Sequence, residues 1–378
     1  MVGPFGFHPN KTMRSRALGL ARPLSAQGHD VKIFMPPWHT PDKADKSWQE
    51  DGVDLRYVPL NGGTPGITRQ LVHEILAWQP DVVHCFKPKA YSGLVAWWLW
   101  QFHRKELRLI LDTDDWEGWG GWNDLAPYSP IQKRFFAWQE QWGMSHCHAL
   151  TVASKALQTL AWGEGVAPDK VFYVPNGAGF SVNSDQLTVN SERPTILLYS
   201  RLFEFDVGRL VKVLRGVKTA VPELKILSVG TGLYADYAEN LRAQWDEAGL
   251  LDCVDDVGWV KESELSALLT QADVGLYFMD DTLLNRTKCP VKLADMVMLG
   301  IPVVGEAVGQ VPEYVINGQT GLLRVSEDVD GLIEDVVCLL KDSEKRDYFG
   351  ENAKQHYANK FSWSYQAKTL TQVYNASE

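Results

Sequence analysis

The feature that most constrains this chain is a rhythm in its hydrophobic residues. Short runs of β-branched and aliphatic residues alternate with helical stretches, and the series occurs twice. In the first half the strand-like runs are residues 29–35 (HDVKIFM), 82–86, 109–111, 149–153 and 171–174. In the second half they are residues 195–199 (TILLY), 225–229 (KILSV), 254–257, 274–277 and 302–305. Helices of 10–15 residues between such strands predict βαβ units and a parallel, doubly wound sheet. A helix over residues 13–27, ended by Gly28 in the position that favours glycine, and another over 92–105 fit that scheme. The rhythm pauses once, at residues 181–194 (SVNSDQLTVNSERP), a polar stretch without a helical stripe. The expected organisation is therefore an α/β domain over 1–180, a linker over 181–194 and a second α/β domain over 195–360. Residues 361–378 form a final helix expected to pack back on the first domain.

Charge separates the halves. Of 37 basic and 47 acidic residues, 18 and 17 fall before residue 181, and 19 and 30 after it. An acidic second half excludes a general nucleic-acid binder, which needs a cationic face for phosphates. With 45% hydrophobic and 22% charged residues the chain is composed to fold. The longest uncharged apolar stretch, residues 93–100, is far short of the ~20 residues that cross a bilayer. Residues 1–11 lack the apolar centre of a secretory leader, and the five cysteines are odd in number with no Cys-x-x-Cys pair. A cytoplasmic protein with reduced thiols is expected. No feature fixes an oligomeric state.

Three second-half strands run into glycine: Gly230–Thr231–Gly232, Gly258–Trp259–Val260 and residues 305–309. Such glycines let backbone N–H groups approach a phosphate, though glycine also serves any tight strand-to-helix turn. Cations stand in the same region. Arg201 directly follows the strand at 195–199, and Arg286, Lys288 and Lys292 precede the helix at 293–299. In an acidic half this pattern points to a polyanion such as a diphosphate; a solvated basic turn is the plainer alternative.

The order of motifs then resembles the family 4 retaining glycosyltransferases, which have the two-Rossmann GT-B fold. Val174–Pro175–Asn176–Gly177, Tyr199–Ser200–Arg201–Leu202, Val229–Gly230–Thr231–Gly232 and Gly258–Trp259–Val260 follow the family's order. So do Ala272–Asp273–Val274, Pro290–Val291–Lys292–Leu293–Ala294–Asp295–Met296, Gly300–Ile301–Pro302–Val303–Val304, Val311–Pro312–Glu313 and Phe361–Ser362–Trp363. The first half matches more thinly, through Gly28–His29–Asp30–Val31, Asp81–Val82–Val83–His84 and Thr151–Val152–Ala153–Ser154.

The resemblance implies two Rossmann-like domains facing a central cleft. Its implied reaction moves a sugar from a nucleotide diphosphate, UDP or GDP, to a sugar or lipid acceptor hydroxyl without a cofactor or metal. Arg201 and Lys288 would act on the diphosphate, with Lys292, Asp295, Gly230, Gly232, Gly258, Thr287 and Lys11 holding the donor. Asp114 would be catalytic, and Asp115, Trp116 and Trp119 would contact the acceptor. Two departures stand out. Thr287 and Asp295 occupy the positions of the family's paired glutamates, and Asp206 stands where a lysine usually partners the strand-end arginine. These departures keep two other functions open: an epimerase-type sugar-nucleotide enzyme and a catalytically silent sugar-nucleotide-binding protein.

Asp112–Thr113–Asp114–Asp115 has the carboxylate density of a Mg²⁺ or Mn²⁺ site, but its position after a first-domain strand favours contacts to sugar hydroxyls, or turn formation. His146–Cys147–His148 offers too few ligands for zinc and reads as structural. Trp97, Trp98 and Trp100 with Arg104 and Lys105 have interfacial composition, yet a helix between two strands of a doubly wound sheet packs on that sheet. Membrane contact is therefore not the favoured expectation.

Overall fold

Parallel strands covered on both faces must be apolar along their length, as in Thr195–Tyr199, where all five residues are buried. In the computed structural model, which describes residues 1–8, 12–180, 193–230 and 235–376, such strands build two sheets. The first contains β1 (Lys32–Met35), β2 (Ser47–Glu50), β3 (Val53–Tyr57), β4 (Val82–Phe86), β5 (Arg108–Thr113), β6 (Ala149–Val152) and β7 (Val171–Tyr173). Its order is β2-β3-β1 and β4-β5-β6-β7, joined by Val2, which bridges in parallel to both Phe34 and Cys85. Only β2 runs antiparallel, against β3.

The second sheet holds β8 (Thr195–Tyr199), β9 (Lys225–Val229), β10 (Val254–Gly258), β11 (Val274–Tyr277), β12 (Val303–Glu306) and β13 (Gly321–Arg324). Its order is β10-β9-β8-β11-β12-β13, and every pairing is parallel. The winding therefore reverses between β8 and β11. In doubly wound sheets ligands bind outside the carboxyl ends of the strands flanking such a reversal.

The chain forms two compact units. One comprises Met1–Gly177, Arg286–Cys289 and the segment from Ser362; the other comprises Ala178–Asn285 and Pro290–Phe361. The short return segment is tied into the first unit by hydrogen bonds. Ser154 Oγ donates to the Thr287 carbonyl at 2.8 Å, and Asn176 Nδ2 donates to the Cys289 carbonyl at 2.8 Å. The C-terminal helix Trp363–Asn375 contributes Ala367, Leu370 and Val373 to the first unit's core beside Leu18, Leu20 and Leu24. Trp363 explains two glycines: a Cβ on Gly19 or Gly177 would lie 2.6 or 2.8 Å from its indole ring.

The sequence-expected helix 13–27 is present but begins as a π-turn, Met13–Ala17, before the α-helix Leu18–Ala26; Gly28 follows at φ +93°. Strands β2, β3 and β13 and the bridge at Val2 are additions to the expected series. Most of the expected linker, residues 181–192, lies outside the described residues. Among the described residues no helix is long and apolar enough to cross a membrane.

Candidate active site

The second unit gathers most of the expected donor residues beside its winding reversal. Arg201 leaves the end of β8; its Nη2 lies 3.2 Å from Glu204 Oε1 and its guanidinium 4.8 Å from the centre of the Phe203 ring. The turn behind it is strained: buried Leu202 has φ +68°, with its N–H donating to Ser200 Oγ at 3.0 Å. A left-handed non-glycine residue costs roughly 1–2 kcal/mol, and such strain persists where the surroundings enforce it.

Gly230 directly follows β9 at φ +80°, and its N–H donates to the Gly258 carbonyl at 2.8 Å. A Cβ there would lie 2.5 Å from Lys292 Nζ and 3.5 Å from the Ser200 carbonyl. The backbone conformation thus requires glycine, and the absence of a Cβ leaves room for the end of the lysine side chain. Lys292 opens the helix Val291–Leu299 and sets its ammonium 4.4 Å from the centre of the Tyr199 ring. Asp295, three residues on and therefore on the same helix face, accepts from the Gly179 N–H at 2.6 Å and the Tyr199 hydroxyl at 3.3 Å. Burial pushes its carboxyl up to about 7, although both hydrogen bonds and Lys292 oppose that shift. Tyr199 is also raised, by burial and then by Asp295. Gly258 closes β10 at φ +63°.

The remaining expected donor residues belong to the first unit or lie outside the described residues. Lys288 and Thr287 belong to the first unit; Lys288 is buried with its ammonium 5.3 Å from the centre of the Trp122 ring, and Thr287 is fully buried. The cationic run from Arg286 to Lys292 is therefore divided between the units. Gly232 and Lys11 lie outside the described residues. Asp206, in place of a lysine, caps the helix Val207–Ala220 by accepting from the Gly208 N–H at 3.0 Å.

In the first unit the aspartate run is locked into ion pairs. Asp112 takes two 2.6 Å bonds from Arg16 and a third, also 2.6 Å, from the Thr151 hydroxyl. Burial opposes the charge on Arg16, but Asp112 overcomes it and holds the guanidinium firmly protonated. His84, between Tyr374 and Thr151, is pushed down to about 3 by burial despite Asp112 and stays neutral. Lys87 Nζ lies 3.1 Å from each of Asp114, Asp115 and Glu117, and Lys89 lies 2.5 Å from Glu117. Burial raises Asp114 to about 6 even against Lys87. Behind them Glu140, accepting from the Thr113 hydroxyl at 3.3 Å, is driven well up by burial and then by Glu117.

The expected acceptor tryptophans separate. Trp119 is 51% exposed, whereas Trp116 is buried in the core with its Nε1 donating to the Trp119 carbonyl at 2.7 Å. Trp116 is thus a support for its loop and not itself a contact surface. His148 is used structurally, accepting from the Leu109 N–H at 2.8 Å, while His146 stacks on Trp142 at 4.3 Å. Among the described residues no three His, Cys, Asp or Glu side chains are arranged to hold a metal ion. Sequence reasoning did not single out Arg16, Lys87, Lys89 or Glu140. Their partners stand 96, 28 and 27 positions away for Arg16–Asp112, Lys87–Asp115 and Glu140–Thr113, beyond any local pattern.

The family description "Glycosyl transferase 4-like domain" matches residues 11–177, and "Glycosyl transferases group 1" matches residues 180–356. The chain belongs to the family 4 glycosyltransferases, and it has their GT-B fold. It is 27% identical over 316 residues to a glycogen synthase of Mycobacterium tuberculosis, covering 80% of this chain and 70% of that protein. It is 22% identical over an alignment of 395 residues to a phosphatidyl-myo-inositol mannosyltransferase of Mycobacterium leprae, covering 99% and 95%. Among solved structures, Anabaena HepE in complex with UDP and glucose superposes with a TM-score of 0.70 at 15% identity, covering 100% of this chain and 99% of that one. The protein is a glycosyltransferase that takes its sugar from a nucleotide sugar.

Proposed function

We propose that this glycosyltransferase acts in the cytoplasm, moving a hexosyl group from a UDP- or GDP-sugar to a sugar or lipid hydroxyl with retention of anomeric configuration. The observation that carries the donor half is the convergence of Gly230, Lys292, Tyr199 and Asp295 beside the strand-end Arg201, where the second sheet reverses its winding. As the glycosidic bond breaks, negative charge grows on the departing β-phosphate. Arg201 and Lys292 offset that charge, and the backbone at Gly230 and Gly258 lets phosphate and nucleoside approach closely. Asp295 takes a ribose hydroxyl in place of its long bond from Tyr199. Retention without a protein nucleophile has the departing phosphate oxygen accept the acceptor's proton on the face it leaves. No step in this scheme uses a metal.

Lys288 is the first unit's candidate cation for the same reaction, with Thr287 beside it and Lys11 in the loop expected to approach the phosphates. Asp114 and Asp115, positioned by Lys87, and the exposed ring of Trp119 supply acceptor contacts. That HepE holds UDP and glucose, and that the mannosyltransferase is named for a lipid acceptor, supports both partner classes.

The test is thermal shift against a panel of UDP-, GDP- and ADP-sugars, followed by radiolabelled transfer in excess EDTA. Stabilisation by one nucleotide sugar and transfer that survives EDTA are expected. No stabilisation by any donor would overturn the donor site, and loss of transfer in EDTA would restore a metal at Asp112–Asp115. Turnover without acceptor would identify an epimerase-type enzyme, and binding without turnover a silent binding protein.

A further inference from the structure

The helix Pro130–Ser145 has two faces with opposite fates. Ala137, Glu140, Gly143 and Met144 are buried. On the opposite side Ile131, Phe135 and Trp138 are 81%, 36% and 42% exposed, with Trp142 following at the next turn. Their spacing of four, three and four residues puts all four on one stripe of a helix about 24 Å long. Helices at a protein surface normally expose charges on this side, so an apolar stripe of this size calls for an occupant.

The rings are continuous. Phe135 and Trp138 stack at 5.8 Å, Trp138 and Trp142 lie 5.8 Å apart, and Trp142 and His146 stack at 4.3 Å. His146 then meets Trp100 at 6.0 Å, and Arg104 lies 5.8 Å from the centre of that ring. The band thus carries an arginine at each end, Arg134 on the flank of the stripe and Arg104 beyond Trp100, both exposed. The helix's single acid, Glu140, is fully buried. Within a chain of formal charge −10, the helix thus exposes no carboxylate of its own; the nearby acids are Glu164, which accepts from Gln141 at 3.5 Å, and Glu106, which pairs with His103 at 2.8 Å.

We propose that this aromatic band docks the protein on an anionic lipid bilayer, lying flat in the interface. Tryptophan and phenylalanine with flanking arginines match that environment: the rings enter the headgroup–acyl boundary and the guanidiniums meet lipid phosphates. A protein partner of complementary charge would have to match the band ring by ring, whereas a lipid surface needs only apolar depth and negative charge. The helix Ala90–His103, read in the sequence as the membrane candidate, instead packs inward through Ser92, Val95, Ala96 and Leu99; the docking face is the outer helix that covers it. This inference does not rest on the proposed donor and acceptor assignments.

The experiment is co-sedimentation of the full chain with vesicles of phosphatidylglycerol and phosphatidylcholine, and with vesicles of phosphatidylcholine alone. The wild type is expected to pellet with the anionic vesicles, less at high salt and least with neutral ones. Phe135→Glu combined with Trp138→Glu should weaken vesicle binding about tenfold or more while the circular dichroism melt stays in place. Recovery of the wild type in the supernatant with every vesicle would overturn the proposal, as would a double variant that pellets like the wild type. So would a wild-type dimer by light scattering that the double variant converts to a monomer with no vesicle binding by either, since a second copy would then be the occupant.

Discussion

The charged side chains of the two candidate regions are held in different ways. In the first, each acid of the 112–117 segment meets a cation: Asp112 meets Arg16, while Asp114, Asp115 and Glu117 meet Lys87. In the second, Lys292 rests against the face of Tyr199, and Arg201 lies against the face of Phe203 with a single 3.2 Å contact to Glu204. A saturated ion cluster fixes backbone, because removing one member strands a buried charge. A ring face steadies a cation while competing little for its N–H donors. The contrast separates charges held by full ionic partners from charges held against ring faces. Arg209 is an internal control: it lies in the second unit yet is held by full ionic partners, at 2.9 Å from Glu306 and 2.7 Å from Asp280.

The largest effect should come from breaking a saturated pair. Arg16→Ala leaves Asp112 buried and uncompensated, and urea denaturation should show a loss of about 3–5 kcal/mol. Replacing both partners, Arg16→Met with Asp112→Leu, should recover much of that loss; no recovery would mean the pair serves more than charge balance.

Asp295 sharpens the comparison through pH. An unfolded aspartate ionises near 3.8, but the buried one in the folded chain ionises near 7, so between these values the folded state holds a proton that the unfolded state has lost. The ionised form therefore costs stability, and the cost grows from about pH 4 to pH 7 and is complete above it. Asp295→Asn should raise stability by on the order of 3–4 kcal/mol at pH 8 and by almost nothing near pH 4, while weakening nucleotide binding. Equal effects at both pH values would contradict the buried-carboxyl account.

Arg201→Ala should lower kcat/KM for transfer about 100-fold or more, corresponding to roughly 3 kcal/mol of lost stabilisation, with a urea midpoint close to wild type. Arg209→Ala should do the reverse and destabilise first. If both variants only unfold the protein, the division into two kinds of cation fails. The smallest effect belongs to Glu140→Gln: burial and then Glu117 push this carboxyl well up and favour its neutral form, so replacing it with a neutral amide should change stability by less than about 1 kcal/mol.

Much of the fold was legible because the central parallel strands are apolar and helices separate them. β4, β8, β9 and β11 coincide with their predicted residues. The hairpin of β2 and β3 was overlooked although Asp51–Gly52, at φ +49° and +80°, is a standard two-residue turn signal. Val2 was hidden for a different reason, since a short bridge among glycines and prolines has no periodicity to read. At the site, Arg201, Gly230, Lys292 and Asp295 stood out through local motifs. Lys288 shows what such motifs do not reveal: it is four residues from Lys292 in sequence, but its segment belongs to the other unit. Arg16 and Lys87 could be recognised only once the fold had brought their carboxylates to them.

The most direct test of the donor-site assignment is calorimetric titration of UDP and GDP into the wild type and Lys292→Met. One nucleotide should bind the wild type, with affinity about 100-fold weaker in the variant and an unchanged melting curve. Equal affinity of wild type and variant for that nucleotide would contradict the assignment of the diphosphate to the ends of β8 and β9.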